Sequence, residues 1–416
     1  MLNAFTWVFL AALAAATAAR LWLAARQARH VRAHRDAVPD SFAGAIALSA
    51  HQKAADYTVA KTRLGMVDAG LSVVIILALT LGGALQWMSD AWARLAPPFG
   101  IVHGALLVAG VVALLAALEL PVTLYRTFVI EARFGFNRMT PGLFAADALK
   151  GVALAALFGI PLLLAVLWLM DKAGTWWWLD VWAVLLAFSV FMQLVVPTLI
   201  LPWFNKFTPL GDGPLAERVR QLLARCGFRS RGLFVMDGSK RSSHGNAFFA
   251  GIGASKRIVL FDTLVERLEP GEVEAVLAHE LGHYKLHHIR KMLAFSSLST
   301  LAGLFALGLL VDRPWFYEGL GAQTKSLAMA LVLFVLVAPA FTFFLHPLGT
   351  LLSRRHEFEA DAYATRHAPA PDLVQALLKL YRDNSATLTP DPVHSAFYDS
   401  HPPAAARIAR LRAQPA

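Results

Sequence analysis

The chain has 416 residues, 57% hydrophobic and 16% charged, with a mean hydropathy of +0.53. This is more apolar and less charged than soluble domains are, so an ordinary soluble enzyme is excluded and an integral membrane protein expected. Membrane topology accounts for the +10 net charge without a nucleic-acid partner, and the single Cys226 excludes an intramolecular disulfide or a thiolate metal cluster.

The chain opens on an apolar stretch whose small residues around Ala15 to Ala19 resemble a cleavage site. It lacks a basic leading region and runs into Arg20, Arg26, Arg29, Arg32 and Arg35, so it reads as an uncleaved anchor. Segments long enough to cross about 30 Å of hydrocarbon run near Phe5 to Ala25, Val67 to Met88, Ile101 to Leu124, Val152 to Leu169, Trp178 to Leu201, Phe295 to Leu310 and Leu327 to Leu352. Seven spans are expected, the sixth being short and interrupted by Ser, Thr and Gly. Glu119 is the most conspicuous acid within them, facing a chamber or snorkelling to the interface. Trp176, Trp177 and Trp178 read as an interfacial belt.

Lys and Arg are retained on the cytoplasmic side. They crowd the first connection, with Lys53, Lys61 and Arg63 after the arginines above, and the third, with Arg126, Arg133, Arg138 and Lys150. The second carries Arg94 and the fourth little beyond Lys172. The N-terminus is therefore expected outside, and the loop after the fifth span inside together with the basic C-terminal region, which suits anionic lipid. The Ala-rich, Arg-over-Lys composition points to a bacterial inner membrane; in a eukaryote the endoplasmic reticulum would be the setting.

Residues Trp203 to Arg290 hold no membrane-length run and read as a soluble insert. Within it, Asn246 to Gly253 and Arg257 to Asp262 read as two strands joined by a turn around Ala254, Ser255 and Lys256. The exposed edge of such a hairpin could bind an extended peptide by strand addition, or the hairpin could only pack on the helix that follows. That helix starts near Pro270, a residue favoured at the first helical turn.

The helix carries His279-Glu280-Leu281-Gly282-His283. Residues four apart share a helical face, so both imidazoles can reach one tetrahedral Zn²⁺, and Glu280 is placed to take a proton from a metal-bound water. Gly282 costs about 1 kcal/mol in a helix relative to Ala, which suggests close packing at that position. On a straight helix His287 rises about 12 Å from His279, too far to complete the same site. Leu286 and Ile289 stand where the metzincin motif needs Gly and His, so that class is excluded. Far downstream, Glu357 and Asp361 are again four apart. Glu357 fits a third ligand and Asp361 a partner for the second nitrogen of a ligating histidine. Glu359 and His356 compete for the metal but point away from that face.

The chain resembles the type I CAAX prenyl proteases, membrane-embedded zinc metalloendopeptidases of the gluzincin kind, over nearly its whole length. The resemblance rests on Phe128 to Asn137, Phe204 to Leu210, His244 to Ala247, Lys256 to Asp262, the HELGH motif, Glu357 to Asp361, and Ser400-His401-Pro402-Pro403. It implies a mainly α polytopic fold in which about seven transmembrane helices enclose a chamber, with an inserted cytoplasmic zinc-protease domain containing the hairpin. The organisation expected is spans one to five in 1–202, the insert in 203–292, spans six and seven in 293–352, and a cytoplasmic C-terminal segment in 353–416. The resemblance also implies that Asn246 and Ala247 bind substrate backbone, with Arg407 among the substrate contacts, and that His401 stabilises the oxyanion.

The mechanism expected is hydrolysis of a peptide bond in an extended substrate. One Zn²⁺ per chain is held by His279, His283 and Glu357, Glu280 is the base, His401 is the oxyanion donor and Asp361 supports a ligand. The resemblance implies a protein substrate prenylated at a C-terminal Cys. A second reading is quality control of unprenylated membrane chains, and one from another class is a transporter or channel with a structural zinc site.

Overall fold

The computed structural model describes residues 2–228, 230, 232–250 and 257–413. Among the described residues, seven helices are long and apolar enough to cross a bilayer: Ala4–Ala33, Leu48–Leu79, Ile101–Glu131, Pro141–Lys172, Gly174–Phe204, His288–Leu310 and Leu327–Ala364. Three of their starts are locally encoded by capping side chains. Asn3 and Thr6 cap the first reciprocally, each side chain accepting the other's backbone N–H at 3.1 Å. Thr140 precedes Pro141 and accepts from the Leu143 N–H at 3.2 Å, and Ser326 accepts from that of Met329 at 3.1 Å.

Most of these helices overrun the apolar windows that announce them. The first continues to Ala33, the third to Glu131 and the seventh to Ala364, and the sixth begins at His288. The second departs most from expectation: it begins at Leu48 and ends at Leu79, and Ala84–Trp92 forms a separate helix. Gly83 lies between them at φ +76°, in the left-handed region that glycine enters without strain. Glu119 lies beside Asp68 of the second span. The tryptophan run is less uniform than a belt: Trp176 is exposed, Trp177 is buried, and Trp178 packs edge-on to Phe305 with centroids 5.3 Å apart.

Between the spans lies a cavity of about 1440 Å³, lined by Phe295, Phe334 and Phe343 among apolar groups and by Arg20, His346 and Ser400 among polar ones. The seventh span borders it and is interrupted by a 3₁₀ turn, Phe343–Leu345, between Leu327–Thr342 and His346–Ala364. We call the latter the carboxylate helix.

The insert contains a four-stranded sheet: β1 (Phe207–Pro209), β2 (Leu233–Met236), β3 (Ala247–Ala250) and β4 (Arg257–Phe261), in the order β1-β2-β4-β3. β3 and β4 are antiparallel, with Ala247 opposite Leu260, while β2 and β4 are parallel. The turn expected around Ala254, Ser255 and Lys256 lies outside the described residues. β3 is an edge strand and contacts the HExxH helix, Pro270–Lys285. That motif helix starts with Pro270 in its first turn, after a reciprocal cap between Glu269 and Glu272.

Apolar residues of the insert, such as Leu222, Leu260, Leu277 and Leu281, share one core with Leu373, Leu377, Ile408 and Leu411 of the C-terminal segment. Polar links tie this core to the membrane helices. Arg241 grips Asp147 through two hydrogen bonds of 2.7 and 3.0 Å, and Glu131 accepts the Tyr57 hydroxyl at 2.6 Å with His244 at 3.7 Å.

The motif helix crosses the carboxylate helix at Gly282. A Cβ there would lie 2.9 Å from Ala360 Cα and 3.1 Å from its carbonyl oxygen. Those are backbone atoms, which cannot rotate away as a side-chain end could. We therefore expect Gly282→Ala to cost about 1–3 kcal/mol through overpacking. Thermal unfolding and zinc content of the purified variant check this, and wild-type values for both would contradict so tight a crossing.

Candidate metal centre

At the Gly282 crossing each helix presents one face to the other. His279 and His283 share one face of the motif helix, and Glu357 and Asp361 share one face of the carboxylate helix. The donor atoms of His279, His283 and Glu357 all lie within 4.8 Å of one another. Nε2 of His283 is 3.2 Å from Nε2 of His279 and 3.2 Å from Glu357 Oε1, while His279 Nε2 is 3.6 Å from Oε2.

This donor set fits a metal ion on evidence internal to the fold. Glu357 is buried, yet its Oε2 accepts no hydrogen bond. Ion-pair contacts reach that oxygen from Arg407 Nη1 at 3.3 Å and His279 Nε2 at 3.6 Å, and a cation shared with two imidazole nitrogens would give it the direct partner it lacks. Two imidazoles and one carboxylate are also the donor types of a catalytic zinc site, which leaves the fourth position open.

A second layer holds these donors. Asp361 Oδ1 lies 2.8 Å from His279 Nδ1, so the Nδ1–H donates to the carboxylate and Nε2 is left free. Arg407 is buried, and its Nε and Nη2 donate to Asp361 at 2.9 and 2.6 Å. Its Nη1 stands 3.3 Å from Glu357 Oε2. The Arg407 guanidinium is thus committed to the two carboxylates from behind the site, and they hold its pKa above the ordinary value against the opposing effect of burial.

Glu280 is partly exposed beside the buried His279. Burial raises its carboxyl pKa and the neighbouring Glu357 raises it further, against the opposing pull of the two imidazoles. A carboxylate shifted upward is a better proton acceptor near neutrality than a free one. His401 lies on the exposed side, its Nε2 3.4 Å from Glu357 Oε1 and its Nδ1 3.0 Å from the Ser400 hydroxyl. Ser400 also lines the large cavity, which therefore reaches the rim of the site. Asn246 is exposed at the entry to β3, where its Oδ1 accepts the Ala247 N–H at 2.8 Å, and Ala247 is buried.

Two further groups of the carboxylate helix stand near the candidate donors. His356 and Glu359 face away from Glu357, but they meet His288, the first residue of the sixth span, which in turn touches His283. The only sequence signal for His288 is its place five residues after His283, a spacing that straight-helix geometry does not put on one face.

Known proteins share this architecture. A family model for the CAAX prenyl protease N-terminal region, five membrane helices, matches residues 27–206, and one for peptidase family M48 matches residues 209–414. The CAAX prenyl protease 1 homolog of Arabidopsis thaliana is 35% identical over 385 residues, 90% of this chain and 90% of the relative. CAAX prenyl protease 1 of Saccharomyces cerevisiae is 38% identical over 310 residues, 70% of this chain and 68% of the relative. The crystal structure of S. mikatae Ste24p superposes with a TM-score of 0.91 at 29% identity, covering 98% of this chain and 99% of that one. The chain therefore belongs to peptidase family M48, among the CAAX prenyl protease 1 homologues, as a multi-pass membrane zinc metalloprotease.

Proposed function

We propose that one Zn²⁺ per chain is held by His279, His283 and Glu357, and that Glu280 is the general base for hydrolysis of a peptide bond in an extended substrate. The observation that carries this reading is the convergence of those three donors within 4.8 Å, with Glu357 Oε2 accepting no hydrogen bond. A zinc ion bound there supplies Lewis-acid polarisation of the scissile carbonyl and acidifies water toward neutral pKa. Glu280 takes the proton of the attacking water at a carboxylate oxygen and returns it to the leaving amine. His401 donates to the oxygen on which negative charge develops. Asp361 fixes the tautomer of His279, and Arg407 keeps Asp361 and Glu357 ionised and in place. Asn246 and Ala247 stand at the entry to β3, the edge strand to which an extended substrate backbone can add.

The natural substrate we propose is a protein tail prenylated at a C-terminal Cys. The names of the relatives and the apolar lining of the cavity that opens beside His401 support it. The basic first and third connections support an N-terminus outside and a catalytic insert on the cytoplasmic side. The organisation proposed keeps membrane helices in 1–202 and 293–352, with 203–292 and 353–416 supplying the protease site from both sides of the last two spans.

Three outcomes follow for the purified, detergent-solubilised protein. Glu280→Gln retains zinc but loses at least about 10²-fold in kcat, the smaller end of what a positioned proton acceptor contributes. Retained cleavage by that variant contradicts the assignment of the base. Removing zinc with a chelator abolishes cleavage and re-adding it restores cleavage; activity indifferent to chelation contradicts the metal mechanism. A farnesylated CAAX peptide is cut in preference to its unprenylated twin, whereas equal cutting of both indicates a general membrane endopeptidase.

A further inference from the structure

His287 takes the left-handed conformation, φ +59°, between the motif helix and the sixth span. This sharp turn folds His288 back over the last turn of the motif helix. His288 is buried, and its Nδ1 lies 3.0 Å from Nδ1 of His283, on the edge of that ring opposite the metal-facing Nε2. Its own Nε2 lies 3.1 Å from Glu359 Oε2. The ring of His356, also buried, lies flat on the His288 ring at 4.1 Å with 10° between planes. Glu359 is flanked by Arg355 Nε at 2.8 Å and Lys291 Nζ at 3.7 Å.

One arrangement of protons satisfies every group in this chain. A metal-ligating nitrogen must offer a lone pair, so His283 ligating through Nε2 carries its proton on Nδ1. That proton can go only to a nitrogen with a free lone pair, which makes Nδ1 of His288 the acceptor and puts the His288 proton on Nε2. Nε2–H then donates to Glu359, whose negative charge the two basic neighbours favour. We infer that Glu359, His288 and His283 form a relay that orients the second metal ligand as Asp361 orients the first, with His356 clamping the plane of the intermediate ring. His288 and Glu359 are thus positioning residues, supplied by the cytoplasmic ends of the sixth and seventh spans. The relay couples metal affinity to the packing of those two spans, which also border the cavity.

This inference rests on the proposed metal centre, so its test reads metal binding and fold separately. Zinc affinity is measured by competition with a chromophoric chelator on the full-length protein in detergent, and thermal unfolding is recorded on the zinc-free form. Loss of an outer partner of a metal-ligating histidine typically weakens affinity 10–100-fold. His288→Leu and the milder Glu359→Gln are expected to fall in or near that range while the zinc-free melting temperature stays within a few degrees of wild type. His288→Asn, whose side-chain oxygen can accept the His283 proton, is expected to recover most of the affinity. Wild-type affinity in both His288→Leu and Glu359→Gln overturns the relay. So does an affinity loss that only tracks a lower zinc-free melting temperature, or a His288→Asn variant as weak as His288→Leu. A wild-type protein that binds no zinc overturns the metal-centre reading, and this inference with it.

Discussion

The structure depends on how closely two helical backbones approach at Gly282 and Ala360. Imidazole and carboxylate side chains are short, so donors on the motif helix and the carboxylate helix meet only if the helix axes are near the lower end of ordinary packing distances. A glycine at the crossing permits that approach, at a propensity cost of about 1 kcal/mol that tertiary packing has to offset. The shared core of the insert and the C-terminal segment supplies this packing: Leu277 and Leu281 of the motif helix lie in the same cluster as Leu373, Leu377 and Ile408. Residues far apart in the chain thus press the two metal-binding faces together.

The membrane helices take part directly in this site. The seventh span runs past its apolar portion and ends in the turns that bear Glu357 and Asp361, and the sixth begins at His288 before it becomes apolar. A span that continues from the apolar region to the proposed metal site sets the distance between hydrocarbon and that site, as a flexible linker could not. A 3₁₀ turn at Phe343–Leu345 precedes the carboxylate helix, and the cavity beside it reaches Ser400, the residue before His401. A substrate with an apolar anchor and an extended peptide can occupy both compartments at once. This is the physical basis for a protease whose cleft opens into the membrane region.

Much of this was legible in the sequence because it is local. Spacing of four residues places His279 with His283 and Glu357 with Asp361 on any helix, and hydropathy alone finds seven spans. Gly282 announced a close contact before its partner was known. The features that escaped depend on long-range geometry. β1 and β2 are three and four residues long and gain their place only by pairing across the insert. The second span ends before a glycine turn inside a mostly apolar run, so hydropathy overshoots it. His288 escaped because the left-handed turn at His287 lies between it and the motif helix, so helical spacing does not place it beside His283. Arg407 was expected against substrate, and its burial against Asp361 and Glu357 is a product of the folded C-terminal segment.

The central claim is that one metal ion is shared by two imidazoles and one carboxylate contributed by two helices. X-ray absorption at the zinc edge of the purified protein tests it most directly, because it reports the identity and distance of the ligands without reference to activity. The account predicts one zinc per chain, four-coordinate, with two imidazole nitrogens at about 2.0–2.1 Å and the remaining ligands oxygen at about 2.0–2.2 Å. A sulfur scatterer at about 2.3 Å, a single imidazole, or a spectrum unchanged when Glu357 is replaced by Ala would contradict it.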